Sequence, residues 1–300
     1  MSRVAYVNGR YVPLDRPSVH VEDRGYQFAD GVYEVIAIEA GAPVDEALHL
    51  DRLDYSLAEL AIAWPMSRAA LKVVMREVVR RNRITARGIV YLQVTRGVAP
   101  RNHAFPADVP PSLVLTARPL PAIDAAVVRA GVRVVTVPDL RWKRADIKSV
   151  SLLPNVLGKE AAVRAGAYEA WMVDETGRVT EGTASNAWIV TAAGDLVTRQ
   201  ADHAILNGIT RRMVHAIAAE HGIRPVERPF TLEEARTAAE AFLTSTTSLV
   251  RPVVRIDDAV INDGRIGPLT ERLLTFYLEH VRSAPPAPRP ARTTDVGAAT

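Results

Sequence analysis

The chain contains no cysteine, which excludes disulfides, thiolate metal sites and cysteine nucleophiles. Lysine is scarce too. Of the 37 cationic residues only Lys72, Lys143, Lys148 and Lys159 are lysines, and arginine takes nearly every other position. Arginine keeps its proton under ordinary conditions and forms no imine, so amine chemistry is confined to those lysines. No apolar run approaches the roughly 20 residues of a membrane helix. The net charge is only +3 and both signs are scattered, which argues against a nucleic-acid surface. Met1–Val4 leads straight into a strand-like pattern without a signal-peptide core, so a cytoplasmic location is expected.

Familiar signatures are missing as well. There is no G-x-G-x-x-G, no Walker lysine loop and no G-x-S-x-G elbow. The 7 histidines are dispersed and none forms an H-x-x-x-H pair, so no metal site is expected. What remains is a 300-residue chain, 48% hydrophobic and 24% charged, long enough for two ordinary domains.

The pattern along the chain is α/β. Val4 to Val12 alternates about an Asn8-Gly9 turn and predicts a hairpin. Gly31 to Glu39 predicts a strand, Asp45 to Ala63 a helix, and Ser67 caps a second helix. Arg80, Arg81 and Arg83 at its end complement the helix dipole. Strands follow at Ile89–Thr95 and Ser112–Arg118. Two prolines at Pro119 and Pro121 then mark a linker, 119–127, between a small domain, 1–118, and a larger one, 128–283. The larger domain opens on strand Val132–Val137, continues through a helix near Asn155–Ala165 and a strand pair around Tyr168–Val190, and includes a helix over Ile209–His221. Short strands at Phe242-Leu243 and Val253-Val254 and a helix over Leu269–His280 complete it. Mixed sheets are expected in both domains. The Pro-, Ala- and Arg-rich tail, Ala284–Thr300, is expected to be disordered.

Several clusters carry chemistry. Lys148, in Ala145-Asp146-Ile147-Lys148-Ser149 at the exit of a strand, sits in a mostly apolar stretch. Loss of solvation there would free its amine for attack on a carbonyl, although an edge lysine with its head in water fits the same pattern. Lys72 and Lys159 fall in helical patterns and look solvent-facing, and Lys143 among Arg141, Trp142 and Arg144 is a weaker rival. Asn207-Gly208 opens directly into a helix whose first N–H groups, at Ile209 and Thr210, suit a phosphate or serve as an ordinary cap. Glu181 precedes a small-residue turn, Thr183-Ala184-Ser185. The hydroxyl cluster Thr244–Ser248 offers further donors or serves as a capping cluster. Arg101 and His103 point the same way from an extended loop and can converge on one anion, although an exposed loop pair without a ligand fits the same pattern.

Taken in chain order, Asp23–Glu34 (DRGYQFADGVYE), His49–Leu53, the Arg101-Asn102-His103 loop, Asp146–Ser149, Thr180–Gly182, Gly208–Arg211 and Thr244–Ser248 resemble one family. It is the fold-type IV, pyridoxal-phosphate-dependent aminotransferases, in particular those acting on D-amino acids. The resemblance implies two α/β domains with the cofactor at their interface. It implies that Lys148 makes the covalent link to pyridoxal 5'-phosphate and shuttles the α-proton, and that Glu181 keeps the pyridine nitrogen protonated. Arg52, Ile209, Thr210 and Thr246 would hold the phosphate, with Leu206 behind the ring. Tyr33, Arg101 and His103 match the family's trap for the substrate carboxylate, the last two reaching in from the neighbouring subunit of a homodimer. Ala29 and Ala184 depart from the pattern, standing where relatives carry glycine and serine. L-branched-chain and (R)-amine transaminases and aminodeoxychorismate lyase share the scaffold and are the alternatives, with a cofactor-binding protein lacking turnover a further one.

Overall fold

The computed structural model describes residues 3–283, so the tail at Ala284–Thr300 lies outside the described residues. The first unit contains strands β1 (Val4–Val7), β2 (Arg10–Pro13), β3 (Gly31–Glu39), β4 (Ala42–Pro43), β5 (Gly88–Thr95) and β6 (Ser112–Pro119). Its helices are α1 (Arg24–Phe28), α2 (Glu46–Glu59) and α3 (Arg68–Arg81). The strands form one sheet in the order β2-β1-β6-β5-β3-β4, antiparallel throughout. Mixed pairing was expected here and is absent, because successive neighbours in this sheet run back and forth without a parallel crossover.

The hairpin between β1 and β2 turns at Asn8 and Gly9, both left-handed at φ 43° and 92°. Those are the torsions of the hairpin turn that matches strand twist, which is why Asn-Gly is readable. The Ser67 hydroxyl accepts the Ala70 N–H at 3.2 Å and starts α3 as expected. Alternation along β3 sends Val32, Ile36 and Ile38 into a core with Leu50, Leu53 and Leu57 of α2 and Leu71, Met75 and Val78 of α3. The opposite face of β3 carries Tyr33 and Val35, which are left to line a cleft.

One short helix is not legible in the sequence. α1 is capped by Asp23, whose carboxylate accepts the Gly25 N–H at 2.8 Å. It ends at Ala29, held in the left-handed region at φ 56°, where alanine's Cβ is crowded. Ala29→Gly is expected to raise stability by about 1 kcal/mol, read as a melting shift of about 2 °C.

The irregular link is Leu120–Asp124, since α4 (Ala125–Arg129) already begins inside the proline-marked segment. The second unit holds β7 (Val132–Pro138), α5 (Leu153–Arg164), β8 (Glu169–Val173), β9 (Arg178–Gly182), β10 (Asn186–Val190), β11 (Leu196–Thr198) and α6 (Ile209–Glu220). It continues through β12 (Val226–Glu227), β13 (Phe230–Thr231), α7 (Leu232–Arg236), β14 (Glu240–Ser245), β15 (Leu249–Ile256), β16 (Ala259–Val260) and α8 (Pro268–Arg282). These strands form a curled, mixed sheet in the order β12-β11-β10-β14-β15-β7-β8-β9-β13, with β16 against β15. Two cores flank it. Trp188 and Phe242 pack with α6 and α8, whereas Trp171 and Phe230 pack with Val179 and Ile256. Val44, from the first unit, is buried in the α6–α8 core and ties the two units together. Among the described residues no helix is long and apolar enough to cross a membrane.

Candidate active site

The cleft between the two sheets encloses a cavity of about 320 Å³. Tyr33, Arg52, Lys148, Glu181, Leu206, Ile209, Thr210 and Thr246 all line it, so residues chosen from separate motifs converge there. Arg101 and His103 do not. Arg101 is exposed, and His103 lines a neighbouring cavity of about 250 Å³ with Arg24, Phe28 and Phe105. Trp142, Ser149 and Ser151 border both spaces.

Lys148 occupies a loop between β7 and α5 and not the end of a strand. Its position is fixed from outside its own unit. The Lys148 carbonyl accepts the Tyr33 N–H at 3.0 Å, and the Val150 N–H donates to the Gly31 carbonyl at 3.0 Å. The loop therefore pairs with the free end of β3, with Ser149 opposite Val32. The Lys148 N–H donates to Ser56 Oγ of α2 at 3.2 Å. Its ammonium lies 4.3 Å from the centre of the Tyr33 ring, within range of a cation–π contact. The other lysines are engaged or exposed elsewhere: Lys72 pairs with Glu46 at 3.2 Å, Lys159 donates to the Tyr168 carbonyl, and Lys143 faces solvent.

Glu181, at the end of β9, is buried at the opposite wall. Asn186 Nδ2 donates to it at 2.8 Å and the Leu206 N–H at 3.1 Å, and Arg141 forms an ion pair with it. Burial pushes its carboxyl above the ordinary value, and Arg141 and the Leu206 N–H pull against that push. Sequence reasoning misses Arg141, which stands there only as a neighbour of Lys143. Its guanidinium is itself held by Asp139, through Nε at 2.9 Å and Nη2 at 2.7 Å. Asp139 also accepts the Thr180 hydroxyl at 2.6 Å. The arrangement is a buried chain, Asp139–Arg141–Glu181, whose last carboxylate faces the cavity.

At the phosphate-sized end, α6 begins without a side-chain cap at Gly208. A Cβ at Gly208 would lie 2.1 Å from Asn186 Oδ1, so only glycine lets the chain pass that side chain and aim the helix N-terminus at the cavity. Arg52 reaches the same end from α2. Its Nε and Nη2 donate to Glu34 at 2.7 and 2.8 Å, and its Nη1 donates to the Asn207 carbonyl at 3.3 Å. Glu34 also meets His49 Nδ1 at 2.8 Å. Burial would raise the Glu34 carboxyl, yet Arg52 and His49 overcome it and hold it well below the usual carboxylate range. Burial in turn pushes the His49 imidazole below its ordinary value. This triad, with Glu34 and His49 enclosed beneath β3, fixes the Arg52 head at the cavity wall, where an anion would meet it.

Glu169 organises the small-residue turn after Glu181. It accepts the Thr183 and Ser185 hydroxyls, the latter at 3.2 Å, and the Ala184 N–H at 3.3 Å. Ala184, which removes a hydroxyl expected from the resemblance, lines the cavity.

Residues 31–256 match the amino-transferase class IV family. The D-alanine aminotransferase of Listeria monocytogenes serotype 4b is 43% identical over 281 residues, covering 93% of this chain and 96% of its own. That of Bacillus licheniformis is 42% identical over 276 residues, covering 92% and 96%. Among solved structures, a T.th. branched-chain amino acid aminotransferase with pyridoxamine 5'-phosphate superposes with a TM-score of 0.86 at 27% identity, over 95% of this chain and 96% of its own. With the shared fold, the converging cleft and this extent of identity, the chain belongs to the class IV aminotransferases.

Proposed function

We propose that the protein transfers the amino group of a D-amino acid such as D-alanine to a 2-oxo acid such as 2-oxoglutarate or pyruvate. The reaction follows a ping-pong course in a cytoplasmic homodimer that carries pyridoxal 5'-phosphate. The observation that carries this reading is the single lysine of the cleft facing a buried, arginine-backed carboxylate across a cavity that ends at an uncapped helix. A group with a carbonyl, a ring nitrogen and a phosphate fits that order of donors. The relatives at 42–43% identity, both D-alanine aminotransferases, support a D-amino acid substrate more than does a branched-chain amino acid aminotransferase that shares only 27%.

When bound, pyridoxal phosphate supplies an electron-withdrawing ring that accepts the amino group and delocalises charge from the α-carbon. The protein's residues do the rest. Lys148 would hold the cofactor and, from its position beside Tyr33, would move the α-proton. Glu181 holds a proton on the ring nitrogen, and Arg141 and Asp139 hold Glu181 in place. Ile209, Thr210, Thr246 and Arg52 would hold the phosphate, and Leu206 would pack against the ring. Tyr33, with Arg101 and His103 of a neighbouring subunit, binds the substrate carboxylate. Exposed Trp142, Leu153, Val156 and Leu157, the last three on one face of α5, supply apolar surface suited to a second copy. The units on either side of the 120–124 link are the two domains whose junction forms the cleft.

Incubating the purified protein with D-alanine, L-leucine and an (R)-amine in turn, with 2-oxoglutarate as the acceptor for D-alanine and either 2-oxoglutarate or pyruvate for the other two, tests the substrate class. Turnover of D-alanine is expected. Preferential turnover of L-leucine or the amine would overturn the reading, as would release of pyruvate from aminodeoxychorismate without an acceptor. Arg101→Ala should raise KM for D-alanine about 10- to 100-fold, the worth of a charge-assisted hydrogen bond, while leaving the cofactor spectrum unchanged.

A further inference from the structure

Arg24 is a charged residue buried to 3% exposure in a helix of five residues. Its guanidinium spends two of its nitrogens on backbone carbonyls of one loop. Nη1 donates to the Asn102 carbonyl at 2.5 Å and Nη2 to the His103 carbonyl at 3.4 Å. Nε donates to Asp30 at 2.8 Å. The same carboxylate is gripped by Arg96, at 2.8 and 3.0 Å, which is tied in turn to the Leu60 and Ala61 carbonyls. Phe28, one helical turn beyond Arg24, lies under the loop's side chains. Its ring centre is 4.5 Å from the Arg101 guanidinium and 5.4 Å from the His103 ring.

The base of the loop is fixed by the same helix. The Arg24 N–H donates to the Gly97 carbonyl at 2.9 Å, and Asp23 accepts the Thr95 hydroxyl at 3.0 Å. Gly97 turns at φ 104°, with a Cβ position only 2.2 Å from the Pro110 carbonyl oxygen, so only glycine fits where the loop leaves β5.

Burying two guanidiniums around one carboxylate is costly, and apolar residues of similar volume would serve stability as well. What the charged arrangement adds is direction. A forked donor on consecutive carbonyls fixes the peptide planes on either side of His103. The stacked ring then leaves the exposed Arg101 guanidinium few contacts of its own, the Gln27 carbonyl at 3.5 Å among them.

We propose that Arg24 is a positioning residue: with Asp30 and Phe28 it sets the 101–103 loop so that Arg101 and His103 present their donors to a substrate carboxylate. This rests on the assignment of those two residues as carboxylate ligands. The test is Arg24→Lys in the cofactor-loaded enzyme, which keeps the charge beside Asp30 and removes the fork. KM for D-alanine should rise about tenfold with kcat changed less than about threefold, the loss expected when charge-assisted hydrogen bonds go. Binding of propionate, a carboxylate that cannot react, should weaken by the same factor by calorimetry. Amide exchange of residues 102–104 should accelerate while that of α2 and β3 stays at wild-type rates.

In an Arg101→Ala/His103→Ala background the Arg24→Lys change should add nothing further to KM, because a residue acting only through those two shows no independent effect once both are gone. An additive effect there, or a wild-type KM in a folded Arg24→Lys protein, would overturn the proposal. If Arg24→Lys does not fold, Phe28→Leu removes the stacking platform instead. It should raise KM in the same non-additive way, and a wild-type KM would likewise sink the idea. The underlying assignment fails separately: in that case Arg101→Ala itself leaves KM for D-alanine unchanged, or the wild-type enzyme ignores D-alanine.

Discussion

Lys148→Ala is expected to abolish transamination, with a fall in kcat of at least about 10³-fold, the scale of a lost general base compounded by loss of the covalent attachment. Lys148→Arg should be as damaging. It preserves the positive charge over the Tyr33 ring, but a guanidinium neither releases its proton nor attaches to an aldehyde. The fold should survive both changes, because the loop is anchored through the backbone of Lys148 and Val150 and not through the side chain. Borohydride reduction followed by peptide mapping supplies the second measurement. A pyridoxyl adduct is expected on the peptide holding Lys148, and an adduct on Lys72, Lys143 or Lys159 would show the site to be wrongly assigned.

Glu181→Gln is expected to lower kcat by about 10²-fold, in the range seen when one preorganised electrostatic partner is removed from a water-excluded site. The amide retains the volume and can still accept from Leu206, but it no longer favours a proton on the facing nitrogen. Glu181→Asp, which restores the charge on a shorter stem, should recover part of the loss. Stability should drop as well in the glutamine variant, since Arg141 keeps Asp139 but loses its second counter-charge. A Glu181→Gln enzyme with wild-type kcat would refute the role given to this carboxylate.

Much of the scaffold is written in local patterns. The Asn8-Gly9 turn, the period-2 run of β3 and the Ser67 cap each depend on residues a few positions apart, and each forms as expected. The scarcity of lysine does the same for the site, by leaving so few amines to consider. What stays hidden depends on partners distant in the chain. Arg141 meets Glu181 across 40 positions, and Arg24 meets Asn102 across 78. Arginine is ordinarily read as solvent-facing, so no periodicity announces a buried one. The α1 helix escapes notice because a glycine and only five residues carry no helical period. The place of Lys148 is hidden for a similar reason: an irregular loop takes its shape from β3, more than a hundred residues earlier.

That borrowed edge has a mechanical consequence. The segment bearing the lysine belongs to the second unit by sequence and to the first unit's sheet by hydrogen bonding. Swinging the units apart would unzip those bonds and drag the amine from its ring neighbour. A turnover cycle relying on wholesale hinge opening would have to break these bonds each time. Because the loop on β3 and Val44 in the α6–α8 core are shared between the units, loosening one unit on heating should loosen the lysine segment with it.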